Sequence, residues 1–170
     1  MLEGQTIELR AWRDDDLPTL VALRNDLALQ NLLMAQARPN SVEKVRRWLV
    51  DKSGSEDVLF FVIGDRDSGS CLGYLQLYNQ RPLHGTAELG ICLAPAAQRR
   101  GVGREALALL EDYAQRVFAI RKILLHVLAD NPAAGFYPRV GYREVGCLQA
   151  HARIDGSYRD VLVMERLLVP

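Results

Sequence analysis

The sequence predicts an α/β fold: one domain over residues 1–170, built on a mixed, mostly antiparallel sheet of six to seven strands flanked by about four helices. Three observations point there. Apolar residues alternate over several short segments, as in half-buried strands. From residue 103 the spacing switches to the helical period, with Ala106, Leu107, Leu110, Tyr113, Ala114 and Val117 on one face. That helix stands between two strand-like segments, a β-α-β crossover that requires one parallel pair in an otherwise hairpin-connected sheet.

The elements follow in chain order. Residues 6–10 alternate and read as an opening strand. Asp14, Asp15 and Asp16 supply an N-cap and first-turn carboxylates for a helix to about Leu27, with Pro18 tolerated in the first turn. Asn40 followed by Glu43 is a capping-box variant opening a second helix to about Asp51. Residues 58–64 form a buried strand and 65–70 a turn. Two more strands, 71–78 and 86–93, are joined by a loop with Pro82 and Gly85. After the long helix, 122–128 is an aliphatic strand and 131–140 a short, imperfect helix. Residues 142–153 and 158–168 form a hairpin around Asp155-Gly156.

Composition narrows the function. Lysine plus arginine equals aspartate plus glutamate, 21 of each, so nothing suggests a nucleic-acid partner. Apolar runs such as 58–64 are too short to span a bilayer, and Met1 to Gln5 lacks the pattern of a signal peptide. Cys71, Cys92 and Cys147 match no zinc pattern or disulfide framework, which suits reduced thiols in a cytoplasmic protein. No metal is expected. Asp14 to Asp16 has no second ligand cluster to accompany it.

The segment Gln98, Arg99, Arg100, Gly101, Val102, Gly103, followed by Arg104, carries the clearest chemistry. It lies between a strand and the longest helix, where main-chain N–H groups lack intrahelical partners. Gly101 and Gly103 allow an anion to approach the backbone, and the helix dipole and three arginines favour negative charge. The set suits a pyrophosphate. Gly101-x-Gly103-x-x-Ala106 also fits a loose dinucleotide fingerprint. That pattern wants its glycines directly on the end of an apolar strand that opens a β-α-β run. A glycine-rich turn without a ligand is the plain alternative.

On these residues the chain resembles the GNAT superfamily of acetyltransferases, whose acyl-CoA loop reads (Gln/Arg)-x-x-Gly-x-(Gly/Ala). Leu9 to Trp12, Asp16-Leu17, Arg24-Asn25-Asp26, Ala87 to Ile91, Gly156 to Asp160 and Met164 are similar to one branch. It includes ribosomal-protein N-terminal, spermidine and amino-sugar acetyltransferases. The resemblance implies acetyl-CoA as co-substrate. Residues 98–104 would hold its pyrophosphate, and the backbone of Ile91, Cys92 and Leu93 would pair with its pantetheine arm. Asn131, which would also contact the coenzyme, and Tyr137 match a second motif, but the stretch is one residue short and carries Gly135 and Pro138. A shortened or kinked helix is expected there.

The implied reaction is direct acetyl transfer to a primary amine: a protein N-terminus, a polyamine or an amino sugar. Glu88, on the strand face opposite Leu89 and Ile91, is the candidate base. A salt-bridging role in the strand is its alternative. Tyr137 would donate a proton or hydrogen bond to the leaving sulfur; a packed ring is its alternative. Arg24, Asn25 and His151 are candidate acceptor contacts, and a solvated helix end is the alternative for the first two. His126, within an aliphatic strand, reads as a core histidine, His84 as a loop residue, and nothing activates Cys92 as a nucleophile. The irregular 131–142 segment also motivates a second reading, a non-catalytic acyl-CoA-binding or sensing module. A small-molecule or peptide amine is the expected partner, without nucleic acid or membrane; the sequence also permits a homodimer.

Overall fold

A computed structural model describes residues 1–168. Eight strands form one sheet in the order β1-β2-β3-β4-β5-β6-β8-β7. They are β1 (Leu2–Glu3), β2 (Ile7–Arg10), β3 (Leu59–Asp65), β4 (Cys71–Arg81), β5 (Thr86–Leu93), β6 (Lys122–Leu128), β7 (Arg143–Ile154) and β8 (Ser157–Leu167). Every neighbouring pair is antiparallel except β5 and β6. The sheet thus has one strand more than expected: Leu2–Glu3 pairs with β2 at the edge.

Four α-helices cover the two faces: α1 (Leu17–Asn25), α2 (Leu27–Leu32), α3 (Val42–Gly54) and α4 (Val102–Phe118). The period-two alternation of the strands divides the core. Leu9, Ile63, Leu75, Leu77 and Leu89 pack with Ala106, Leu107 and Leu110 of α4. Phe60, Val62, Tyr74 and Cys92 point the other way and pack with Leu17 and Leu20 of α1 and Leu49 of α3. Most of the expected α4 face is buried, but Val117 is exposed.

Three local expectations change. The first helix stops at Asp26, whose extended backbone breaks it and whose carboxylate accepts from Leu29 N–H to start α2. The N-cap of α3 is Ser41, accepting from Lys44 N–H, so Asn40 and Glu43 form no capping box. Residues 132–136 are turns, and only Tyr137–Val140 coils, as a short 310 helix. Pro138 and Gly135 account for that shortening.

Asp14–Asp16 is a 310 turn leading into α1, and Asp16 binds inward rather than at solvent. Its carboxylate takes two bonds from the Arg10 guanidinium, at 2.7 and 2.8 Å, with both residues almost fully buried. Its bonds to Asp16 and Glu8 hold Arg10 above the usual arginine range against the opposing effect of burial. Gly73 in β4 has φ +149°, and a Cβ there would lie 2.2 Å from the carbonyl oxygen of Cys92. Only glycine lets β4 and β5 approach so closely. No helix among the described residues is long and apolar enough to cross a membrane.

Candidate active site

The loop before α4 is built by backbone conformation. A short 310 turn, Pro95–Ala97, ends at the extended Gln98, whose side-chain amide donates to the carbonyl of Leu93 at 3.2 Å. Arg99 and Gly101 then take left-handed conformations, φ +60° and +83°, and curl the chain into the start of α4. A Cβ on Gly101 would meet nothing within 4 Å, so the positive φ rather than crowding calls for glycine.

None of the main-chain N–H groups of residues 99–104 has a partner among the described residues. The first bond of the helix is Glu105 N–H to Gly101 O, at 3.1 Å. Six consecutive free donors, the positive end of a 17-residue helix and the exposed Arg99, Arg100 and Arg104 converge at one place. Val102 is buried and anchors the turn to the core. This donor set fits the pyrophosphate of a coenzyme.

Beside the loop the sheet opens. β5 and β6 pair only from Thr86 opposite Lys122 to Glu88 opposite Leu124. Beyond that rung β6 stays with β8 as far as Leu128 opposite Val161, while β5 runs on to Leu93. The β6-facing edge of β5 over residues 89–93 therefore lacks a strand partner among the described residues, which leaves its main-chain groups to bind amides of an extended ligand. Ile91 and Leu93 turn towards α4 on this edge. Cys92 turns away into the α1–α3 core, where burial pushes its thiol up to about 12, so only its main chain is available.

Tyr137 comes to the same place. A Cβ on Gly103 would lie 3.4 Å from Phe136 Cζ and 3.5 Å from Leu93 Cδ1. The start of α4, the end of β5 and the Phe136–Tyr137 turn are thus in contact. The Tyr137 ring lies 5.8 Å from that of Tyr142, edge to face. Tyr142 in turn donates to the buried Glu111 at 2.9 Å, which also accepts from Arg166 at 2.7 Å. Held from behind by this polar brace, the Tyr137 hydroxyl has no partner among the described residues, and burial alone pushes it up to about 12.

Glu88 lies on the other face, at the last paired rung. A bulge in β4 puts Asn79 at φ +49°, and its amide donates to Glu88 at 3.0 Å. The second carboxylate oxygen is 3.6 Å from Nδ1 of His126. His126 is a correction: its neighbours Leu125 and Val127 are core residues, but its own side chain is 35% exposed and faces Glu88. Period two along β6 places it on the face of Leu124, the pairing partner of Glu88, a signal that the aliphatic setting hid.

A cavity of about 210 Å³ adjoins this edge of β5, between α1, α3 and β4. Arg24, Trp48, Lys52, Gln76, Tyr78 and Gly90 contribute to its wall. Arg24 was expected to meet the acceptor and does line the cavity. Trp48, Lys52 and Gln76 join it only through the packing of α1 and α3 on the sheet. Other expected contacts lie elsewhere. Asn25 is committed to Asn40, donating to its carbonyl and accepting from its N–H, which ties residues 38–40 to α1. His151 is exposed in a bulge of β7 and does not line the cavity. Asn131, expected on the coenzyme, instead accepts from Ala133 N–H at 2.8 Å and donates to the carbonyl of Leu32, fixing the turn that leads to Tyr137.

Comparison with known proteins identifies the family. A family profile described as "Acetyltransferase (GNAT) domain" matches residues 6–142. The spermidine N(1)-acetyltransferase of Vibrio cholerae is 33% identical over 102 residues, which is 59% of this chain and 58% of that protein. The phosphinothricin N-acetyltransferase of Streptomyces coelicolor is 28% identical over 166 residues, 95% of this chain and 96% of that one. The crystal structure of the Vibrio cholerae spermidine N-acetyltransferase with CoA and spermine superimposes with a TM-score of 0.87. There the identity is 27%, over 96% of each chain.

Proposed function

The chain belongs to the GNAT acetyltransferase family, and from that premise we propose that it transfers acetyl from acetyl-CoA to a primary amine directly, in a ternary complex. One observation carries this reading above the others: six unpaired N–H groups at residues 99–104 stand beside the unpaired edge of β5. One end suits a pyrophosphate and the other an extended pantetheine arm. β5 and β6 part between the α4 face and the face that carries the cavity.

Acetyl-CoA supplies an activated acyl group; this chain's residues position it and move protons. Residues 98–104 hold the diphosphate, and the edge at Ile91, Cys92 and Leu93 aligns the arm. A main-chain N–H there polarises the thioester carbonyl. An alkylammonium titrates near 10.4, so the amine must lose a proton before attack. Glu88, with His126 beside it and Asn79 orienting it, is the group to take that proton, directly or through water. Tyr137 donates a hydrogen bond to the departing sulfur. With its own pKa near 12, above the roughly 8.5 of a thiol, it stabilises the thiolate without surrendering its proton. Holding amine and thioester together supplies much of the rate.

Relatives are named for acceptors as different as spermidine and phosphinothricin, so names leave the acceptor open. The test is thiol release from acetyl-CoA against a panel of primary amines, with acetylated product followed by mass. Amine-dependent release, slowed in Tyr137→Phe and Glu88→Gln, is expected. A melting temperature raised by acetyl-CoA, with no release for any amine, would instead identify a binding module.

A further inference from the structure

We infer that the acceptor is an amine that also carries an acidic group, a carboxylate or a phosphonate, and is of amino-acid size. This rests on the acetyl-transfer reading and concerns the cavity on the α1–α3 face. The charged side chains in its wall are Arg24 and Lys52, both cations, and no aspartate or glutamate lines it. Neither cation has a salt-bridge partner among the described residues.

Arg24 is the more informative of the two. It sits near the C-terminus of α1, where the helix dipole favours a cation, and its guanidinium carbon lies 4.6 Å from the centre of the Trp48 ring. Trp48 itself packs edge-on against Phe60 and Tyr74. That aromatic floor shields one side of the guanidinium from water and fixes its position in the wall. Yet Arg24 Nε is buried with no hydrogen-bond partner among the described residues. The guanidinium as a whole is half-buried and lies beside the Tyr74 hydroxyl as well as Trp48, but a buried N–H without an acceptor is a donor that a ligand oxygen can satisfy.

The amine end is provided for as well. Gln76 Oε1 is buried and unpartnered in the same wall. Its side chain packs 3.3 Å from where a Cβ on Gly90 would stand, on the β5 face that also bears Glu88. An acceptor whose acid meets Arg24 and Lys52 therefore points its amine along Gln76 towards Glu88 and the open edge of β5. The cavity of about 210 Å³ is smaller than the roughly 300–1,000 Å³ of a drug-sized site. A long polycation finds two like charges here and no carboxylate in the wall, an arrangement that rejects it.

The experiment measures kcat/KM for amino acids, their α-amides, an aminoalkylphosphonate and spermidine under one condition. The acids are expected to exceed their amides by about ten- to hundredfold, chiefly through KM. Arg24→Gln and Lys52→Gln should bring that ratio towards one, and Arg24→Lys should restore part of it. Folding of each variant is checked by its melting temperature, and the two separate sites guard against failure of either. A phosphonate that outperforms the carboxylates identifies the acid type. Amides or spermidine used as well as, or better than, the acids overturn the inference while acetyl transfer stands. No thiol release from any member overturns both.

Discussion

The carboxylate of Glu88 stands 3.6 Å from Nδ1 of His126, just where β5 and β6 stop pairing. The two residues are 38 positions apart, and only the short parallel register brings them together. At the point where a thioester and an amine would meet from opposite faces, that pair offers a carboxylate and an imidazole to one proton.

Removing either partner should slow proton removal without loosening the coenzyme. Glu88→Gln and His126→Gln are each expected to lower kcat/KM by about 10²–10⁴-fold, the range of general-base catalysis. Acetyl-CoA affinity should be retained in both. An unchanged kcat/KM in both variants would leave Glu88 as a strand-ordering salt bridge.

Tyr137→Phe removes one hydroxyl from a ring already braced by Phe136 and Tyr142. A transition-state hydrogen bond to a charged sulfur is expected to cost about 10- to 100-fold in kcat, with KM little changed. Because burial holds the phenol at about 12, activity should show no loss from tyrosine ionisation as pH rises through its ordinary value. Undiminished kcat in the variant would make Tyr137 a packing residue.

Gly101 carries φ +83° in open space. Gly101→Val meets no wall but resists that φ, and about 1–2 kcal/mol of strain follows from a Cβ in the left-handed region. The strain should distort residues 99–104, so the rise in melting temperature produced by acetyl-CoA should shrink or vanish. An unaltered ligand-induced rise would show that the loop does not grip the coenzyme.

Alkaline pH should destabilise the fold in a definite window. Burial pushes the thiols of Cys71 and Cys92 up to about 11 and about 12, and Tyr137 up to about 12. In the unfolded chain these groups return to ordinary values of 9.0 for the thiols and 10.0 for the phenol. Above pH 9 the unfolded chain therefore binds fewer protons than the folded one, and stability, full below that pH, falls as pH rises towards 12. Melting temperatures should decline from about pH 9 upward, less steeply in Cys92→Ala. A flat curve across that window contradicts the burial of these groups.

The parts legible in the sequence were those that neighbours along the chain determine. The loop at 98–104 needs only two glycines, a helix start and flanking arginines, all local. Strand alternation sorted Leu89 from Glu88 for the same reason. The break at Asp26 was missed because a capping side chain competed with continued helix, a contest between two local preferences. Asn25 looked like an acceptor contact, but its amide staples residue 40, a partner 15 positions away. His126 and the Arg24–Trp48 wall depend on register and helix packing across the sheet, which no local pattern encodes.

Hydrogen exchange of the main-chain amides, with and without saturating acetyl-CoA, tests the coenzyme grip itself. In the free protein the amides of residues 99–104 lack internal partners and should exchange fast. Acetyl-CoA should slow them together with amides on the β6-facing edge at 89–93. If 99–104 continue to exchange at the free rate while the coenzyme is demonstrably bound, the diphosphate is held elsewhere and the proposed site is wrong.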